Sequence, residues 1–304
     1  MNVITSPSNP AVRAARKLAR PSARARAGGQ FLLEGPEGIR EALAAGHVPV
    51  TILATERAAA RHGGLLNAAR AAGSRVLPVA EPLLAGVAQT ATPQGLVAVL
   101  PGVTRSLDGL PAAPGLVCVL AEVRDPGNAG TVIRAADAFG ADAVATTSGS
   151  VDPQSPKAAR AAAGSLFHLP VVAGVPWPDL RVALRERGLR LVGADPHAPA
   201  TVQAAPLEEP VALVLGNEAH GLPAAVRGDL DLAVRVPLPG RAESLNLAAA
   251  AAVLLYETAE RRRGPGNPRG VPRSLGRGPG NPEGMPRSDG QRAAHRPREA
   301  AVGR

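Results

Sequence analysis

The sequence predicts an α/β fold in two units, the second carried by a mainly parallel sheet. Short apolar runs alternate with helix-length segments from residue 31 to about residue 263, the pattern of strands joined by crossover helices. At least one strand stops in a turn sequence, Asp125–Pro126–Gly127, immediately before a helix. Hydrophobic residues reach 45% while aromatics are only 2%. A chain of 304 residues is long enough for two domain cores, and these must be built from Ala, Val and Leu.

The elements follow in order. Residues 1–30 hold Arg13, Arg16, Lys17, Arg20, Arg24 and Arg26 and no acidic residue. A strand is expected at 31–34 (FLLE), a helix from about 36 to 45, and further strands over 50–55, 75–80 and 95–100. This unit, 1–101, reads as a small α/β domain. Residues 102–114 (GVTRSLDGLPAAP) read as a polar linker. The second unit, 115–263, carries expected strands at 116–121, 143–147, 189–194, 211–215 and 233–236, with helices such as 129–139 and 178–187 between them. That alternation favours a parallel, helix-covered sheet. From Gly264 the composition changes: RGPGNPRGVPRSLG (263–276) is followed by RGPGNPEGMPRSDG (277–290). A segment so poor in apolar residues cannot offset its ordering entropy, so 264–304 is expected to be a disordered basic tail. It either adds nonspecific affinity for nucleic acid or is a solvated extension.

The formal net charge is +9, carried almost wholly by arginine since Lys17 and Lys157 are the only lysines. Such a balance favours an anionic partner without identifying one. Cys118 is the only cysteine, so an intrachain disulfide and a multi-cysteine zinc site are excluded. Within its apolar run it is expected as a buried small hydrophobe. No N-terminal segment joins a basic start to a long apolar core, and no run of eighteen apolar residues occurs. The protein is therefore expected to be soluble and cytoplasmic, with no membrane partner.

Three segments carry the chemistry. In 121–144 the strand ends at the Asp125 turn. Asn128 is expected to cap the following helix, Ile133, Ala136 and Phe139 to form its buried stripe, and Arg134 to fall on its first turns near the sheet's C-terminal edge. Ligands bind at that edge in open α/β sheets. In 211–222 (VALVLGNEAHGL) a buried strand runs into Gly216, which permits a sharp turn or close approach to a ligand, and Glu218 and His220 follow. In 236–257 (VPLPGRAESLNLAAAAAVLLYE) a strand ending at Val236 leads to a turn crowded with Arg241, Glu243, Ser244 and Asn246. Ser244 is expected to cap a long apolar helix there. Nothing in core packing requires those polar groups, whereas a polar ligand at a helix start does use them.

DPGNAGTVIRAADAFG, LGNEAHGL and VPLPGRAESLNLAAAAAVLLYE, in this order and spacing, resemble the three motifs of the SpoU-type (SPOUT-class, TrmH-like) RNA ribose 2′-O-methyltransferases. The likeness covers about 115–261 densely. The N-terminal unit, with ITSPSNPAVRAARKL and FLLEGPEGIREAL, resembles more loosely the substrate-binding domain that precedes the catalytic domain in many members, itself similar to small ribosomal RNA-binding proteins.

The resemblance implies a C-terminal trefoil knot, which periodicity could not show because threaded chains are rare. It implies S-adenosyl-L-methionine as cofactor, bound by Gly216, Val236 and Leu245 largely through backbone groups, with Leu238 and Ala194 as further contacts. It implies a homodimer through the knotted domain and no metal. Arg134 is implied as the principal catalytic residue, Asn128 as its orienting partner, Ser244 and Asn246 as holders of loop and nucleotide, and Glu218 as an anchor of the second loop. Arg134 is a poor literal base, since an ionised guanidinium has no acceptor site; binding a phosphate and stabilising alkoxide charge suits it better. The basic run Arg13–Arg26 then has RNA phosphates as partner, or is an exposed helix face. The expected substrate is 23S ribosomal RNA. Transfer RNA, a thiostrepton-resistance type of activity, a noncatalytic ribosome-assembly factor and a small-molecule Rossmann-type methyltransferase stand as alternatives.

Overall fold

The structure, a computed structural model, describes residues 3–20 and 29–263. Arg24, Arg26 and the repeat-containing 264–304 segment lie outside the described residues.

In the N-terminal unit, four short strands form one sheet: β1 (Phe31–Glu34), β2 (Thr51–Ala54), β3 (Arg75–Pro78) and β4 (Leu96–Leu100), in the order β1-β4-β2-β3. β4 runs antiparallel to both neighbours, and β2 pairs parallel with β3. Alternation along the strands sorts side chains to two faces. Leu32, Leu53, Val97 and Val99 meet the Pro10–Leu18 helix through Val12, Ala15 and Leu18. Phe31, Leu33, Ile52, Ala98 and Leu100 meet Ile39 and Ala42 of the Pro36–Ala44 helix and Leu66 and Ala69 of Gly63–Ala71.

That second face does not end at the unit. Its core continues into that of the larger sheet, with the Phe31 and Phe167 rings 6.4 Å apart and His47 lying 5.3 Å from Phe167. The 102–114 stretch is likewise pinned. Arg105 bridges to the edge of the second sheet, its N–H donating to the Val171 carbonyl at 2.8 Å, and Leu110 is buried.

The second sheet has seven strands: β5 (Leu116–Leu120), β6 (Ala143–Thr147), β7 (Val171–Val175), β8 (Arg190–Ala194), β9 (Ala200–Thr201), β10 (Val211–Leu215) and β11 (Leu232–Arg235). Their order is β7-β6-β5-β10-β8-β11-β9 and every pairing is parallel. β5, β6 and β10 are buried along their whole length, which is why they read as unbroken apolar runs rather than alternating ones. The Pro126–Ala138 and Leu247–Arg263 helices cover one face, and Trp177–Glu186 covers the other. Cys118 lies in this core, and burial pushes its thiol up to about 12.

β7 and β9 escape a sequence reading because β7 is a five-residue run hemmed by Pro170, Gly174 and Pro176, and β9 has two residues. β10 is inserted between β5 and β8, with Leu213 level with Cys118 on one side and Val192 on the other. The strand order therefore reverses around β5 and β10, and it is at the carboxyl ends of such strands that an open parallel sheet offers a crevice. Among the described residues, no helix is long and apolar enough to cross a membrane.

Candidate functional site

The loops leaving β5, β10 and β11 converge at this edge. In the first, Glu122 takes a left-handed conformation, φ 55°, which costs an L-residue about 1–2 kcal/mol. Two bonds hold it there: its N–H donates to Thr147 Oγ1 at 3.0 Å, and its carbonyl accepts from Asn217 Nδ2 at 2.9 Å. The helix then begins at Pro126, and its cap is Asp125, whose Oδ1 accepts the Asn128 N–H at 2.8 Å.

The expectation that Asn128 caps this helix is therefore corrected. Proline's fixed φ suits the first helical position and Asp is a strong cap, so the helix starts three residues earlier than 129. Asn128 lies inside the first turn and Arg134 on the third rather than the first turns. Lys157 Nζ, 3.0 Å from Asp125 Oδ2, with the Asn128 N–H bond, holds the Asp125 carboxyl below the usual range; the Asn128 bond is the larger cause.

The second loop closes on itself. Asn217 and Gly221 exchange backbone bonds at 2.8 and 2.9 Å, while Asn217 Oδ1 accepts the N–H groups of Ala219 and His220. Any Cβ on Gly216 would sit 2.3 Å from the Gly221 carbonyl carbon, so close backbone approach is the reason for glycine there. Glu218 reaches across to the first loop. Its Oε1 accepts from the Asp125 N–H at 3.1 Å and Asn128 Nδ2 at 3.2 Å, and its Oε2 accepts from the Arg124 N–H at 3.3 Å. Burial alone raises this carboxyl, but the hydrogen bonds from its own N–H, Asn128, Arg124 and Asp125 outweigh burial and leave it lowered. Glu218 thus accepts N–H groups of the first loop, where the expectation was an anchor of the second.

The third loop corrects another expectation. The helix runs Leu247–Arg263, and its first turn is capped by Asn246, whose Oδ1 accepts the Ala248 N–H at 2.9 Å. Ser244 lies two residues before the cap, too far back to serve the first helical N–H groups, and it is exposed like Arg241, Glu243 and Leu245. β11 also stops one residue short of Val236. Asn246 Nδ2 donates to Asn128 Oδ1 at 3.2 Å. Glu218, Asn128 and Asn246 therefore form one hydrogen-bonded chain that ties the three loops together.

Beside this chain lies a cavity of about 430 Å³, within the range of small-molecule sites. The sequence-predicted cofactor residues Ala194, Gly216, Val236, Leu238 and Leu245 all line it, as do Glu218 and Ser244. Asn128 and Asn246 stand at its side through the chain just described. Arg134 does not line it; its side chain is exposed on the Pro126–Ala138 helix. On the N-terminal unit, Arg13, Lys17 and Arg20 are exposed, whereas Arg16 lies against Gly86 with a buried Nε lacking a hydrogen-bond partner.

Residues the sequence reading missed include Asp125 and Lys157, which set the helix start, and Asn217, whose bonds join the first two loops. The Asp–Pro pair and the Asn-to-Gly spacing in LGNEAHGL were the available signals. Among the described residues, no group of His, Cys, Asp or Glu has the arrangement of a metal site.

Comparisons with known proteins agree with this geometry. Residues 115–256 match the SpoU rRNA Methylase family, and 9–98 match the MRM3-like substrate binding domain. The chain is 36% identical over 226 residues to the 23S rRNA (guanosine(2553)-2′-O)-methyltransferase RlmP of Bacillus subtilis, spanning 74% of this chain and 87% of that protein. Among solved structures, the AdoMet-bound rRNA methyltransferase from Sinorhizobium meliloti superposes with a TM-score of 0.76 at 30% identity, over 85% of this chain and 97% of that one. The AdoMet complex of the SpoU methyltransferase AviRb from Streptomyces viridochromogenes gives 0.74 at 31% identity, covering 84% and 99%. With its parallel sheet, its three tied loops and these likenesses, the chain belongs to the SpoU rRNA methylase family.

Proposed function

We infer that the protein is an S-adenosyl-L-methionine-dependent RNA methyltransferase that methylates a ribose 2′-hydroxyl in 23S ribosomal RNA, acting in the cytoplasm. The observation that carries this reading is the Glu218–Asn128–Asn246 chain, which brings the three motif loops to one cavity. The cavity suits the cofactor on its own terms. Ala194, Gly216 and Val236, at or just past the ends of β8, β10 and β11, line it, and Leu215, Leu247 and Leu254 supply apolar wall. Ala194, Gly216, Val236, Leu238 and Leu245 would hold the cofactor. When bound, it supplies a methyl group already activated on a sulfonium.

The protein's part is alignment and charge. A ribose hydroxyl is a weak nucleophile until its proton is shared, and positioning it in line contributes several kcal/mol to lowering the barrier. Arg134, whose guanidinium offers donors and no acceptor, binds the neighbouring phosphate and stabilises charge developing on the 2′-oxygen. Asn128 spends one N–H on Glu218 and one lone pair on Asn246, leaving the second of each to orient Arg134 and the ribose. Asn246 ties the third loop to the first, and Ser244 on the cavity wall, with Asn246, holds the nucleotide. Glu218, ionised and supplied with donors, anchors and does not relay protons.

Residues 1–101 serve as the RNA-binding unit and 115–263 as the catalytic unit. Arg13, Lys17 and Arg20 meet RNA phosphates, a salt-sensitive contact. The return of the chain from β11, outside β8, to a helix packed over β5 and β10 supports the trefoil knot. A homodimer completes the site. Arg134 stands off its own chain's cavity, while Val253 (38% exposed) and Tyr256 (51% exposed) face outward, with the Phe139 ring 5.7 Å from Tyr256. Pairing through this face would bring Arg134 toward the partner's cavity.

The deciding experiment is methyl transfer from labelled cofactor to unmodified 23S rRNA and to tRNA, followed by nucleoside mass spectrometry. A 2′-O-methyl nucleoside from 23S rRNA is expected; a product from tRNA alone, or a base-methylated product, overturns the assignment. Mixing Arg134→Ala with Gly216→Ala protein tests the dimer: recovered activity is expected if the sites are shared.

A further inference from the structure

One short helix outside the cavity carries two ion pairs that reach different parts of the molecule. In Pro156–Ala162, Lys157 pairs with Asp125, the cap of the helix that carries Asn128 and Arg134. One turn later Arg160 Nη1 lies 2.8 Å from Glu34 Oε2 at the end of β1. The Glu34 side chain is 7% exposed and that of Arg160 is 29% exposed. Glu34 also accepts from Thr90 Oγ1 at 2.7 Å and the Gln89 N–H at 3.3 Å. The carboxylate is thus built into the N-terminal unit, and Arg160 is the catalytic unit's hold on it.

The same helix cannot shift independently of its neighbour. A Cβ on Gly130 would lie 2.2 Å from the Ala158 carbonyl oxygen and 2.7 Å from Ala161 Cβ. The two helices therefore pack backbone to backbone, and a displacement of one is passed to the other. Of the other contacts between the units, the one around Phe31 and Phe167 is apolar, and the His168–Glu41 pair is solvent-accessible, its side chains 38% and 39% exposed. Apolar burial is strong but has no preferred direction, whereas a charge-assisted bond to a buried carboxylate does. Such a pair contributes little net stability once desolvation is counted, and its best-attested use is to fix register.

We propose that Arg160 is a positioning residue for methyl transfer. By holding Glu34 it sets the angle of the N-terminal unit on the Pro156–Ala162 helix. That helix, through Gly130 and the Lys157–Asp125 pair, delivers RNA bound on the N-terminal unit in register with Asn128 beside the cavity. The proposal rests on the reading that RNA docks on residues 1–101.

The test compares Arg160→Gln, Arg160→Lys, Glu34→Gln and the Glu34→Gln/Arg160→Gln double variant in the full chain. Steady-state transfer to unmodified 23S rRNA, cofactor affinity and amide exchange are measured for each. Arg160→Gln should lower kcat about tenfold or more, the scale of a small misplacement, with KM for RNA and cofactor Kd within about twofold. Arg160→Lys should recover part of the loss, and the double variant should be no worse than Arg160→Gln. Amide exchange should rise at 89–90 and at 124–131 together. Unchanged kcat in a folded variant overturns the proposal, as does a loss matched by equal loss of cofactor binding. If Arg160→Gln does not fold, Arg160→Lys and Glu34→Gln carry the same kinetic test. If the wild type transfers no methyl group to rRNA, the functional reading fails by itself. The exchange result still decides the link: a rise confined to 89–90 overturns it.

Discussion

The loop after β5 and the loop after β11 both lead into helices at one cavity, yet they are held in opposite ways. In the first, Ala121 and Val123 are buried, Glu122 is bonded on both sides, and the N–H groups of Arg124 and Asp125 end on Glu218. In the other, 237–246 is exposed at every residue except half-buried Leu238, and the side-chain bonds described for it are those of Asn246. A loop braced by the rest of the fold can present donors to developing charge without reorganising, which is where electrostatic catalysis draws its effect. A loop with few internal ties takes its order from what it binds. The comparison separates a braced loop from a loosely tied one; under the proposed function the first serves chemistry and the third cofactor and nucleotide capture.

The strongest way to break this comparison is Arg134→Lys. It should lower single-turnover methyl transfer by about 100-fold or more while RNA binding persists, because the guanidinium fork is lost and the charge kept. Full activity in that variant would remove Arg134 from the chemistry. Next, Gly216→Ala should cost at least about 1–3 kcal/mol, the usual penalty for overpacking, since the atoms it meets at 2.3–2.4 Å are backbone. Calorimetry should show weakened cofactor binding before any loss of the N-terminal unit.

Glu218→Gln replaces one acceptor oxygen with a donor and removes an acceptor from a loop N–H. Because these bonds are exposed, the stability loss should stay at or below the usual net of about 0.5–1.5 kcal/mol per hydrogen bond. Its effect should fall on kcat more than on cofactor Kd. Because the Glu218 carboxyl is lowered from 4.5, its contribution is present above about pH 4.5 and disappears as pH falls through the lower folded value. Acid should therefore loosen the first loop before the sheet unfolds, which amide exchange at 124–128 would report. Asn246→Ala should cost about 1 kcal/mol as a lost cap, whereas Ser244→Ala should leave thermal stability unchanged; the reverse ranking would restore Ser244 as the cap.

The smallest effect concerns His168, whose Nδ1 lies 2.7 Å from Asp137 and Nε2 3.3 Å from Glu41 on the N-terminal unit. Burial opposes its charge, but the two carboxylates prevail and raise its pKa above 6.5. Its stabilising contribution is complete below that value and fades as pH rises through the folded pKa. His168→Gln should flatten a slight decline of melting temperature with pH on the alkaline side.

Most of the catalytic sheet was legible in the residues. The runs at 143–147 and 211–215 coincide with β6 and β10, and 116–120 falls within the expected strand, because burial on both faces leaves an unbroken apolar signature. Helix starts were less legible. Asn128 and Ser244 each looked like a cap, but the choice among neighbouring Asp, Asn and Ser depends on where the backbone leaves the preceding strand. Asp125 and Asn246 won on geometry that spacing does not encode. Leu245, Val236 and Gly216 were named from family likeness and do line the cavity. Arg134 was named in the same way and does not line it; its side chain is exposed on the Pro126–Ala138 helix.

The sequence by itself determined the alternation of strand and helix, the Ala/Val/Leu core, the three motif loops and the basic run from Arg13. Each of these is written in local propensity and periodicity. Only the tertiary structure decided that β10 lies between β5 and β8, that Glu218 spends its carboxylate on a loop more than ninety residues away, and that Arg160 meets Glu34 across 126 positions. Those contacts arise when the sheet order and the shared core bring distant segments within a few ångströms, and one-dimensional spacing carries no record of that.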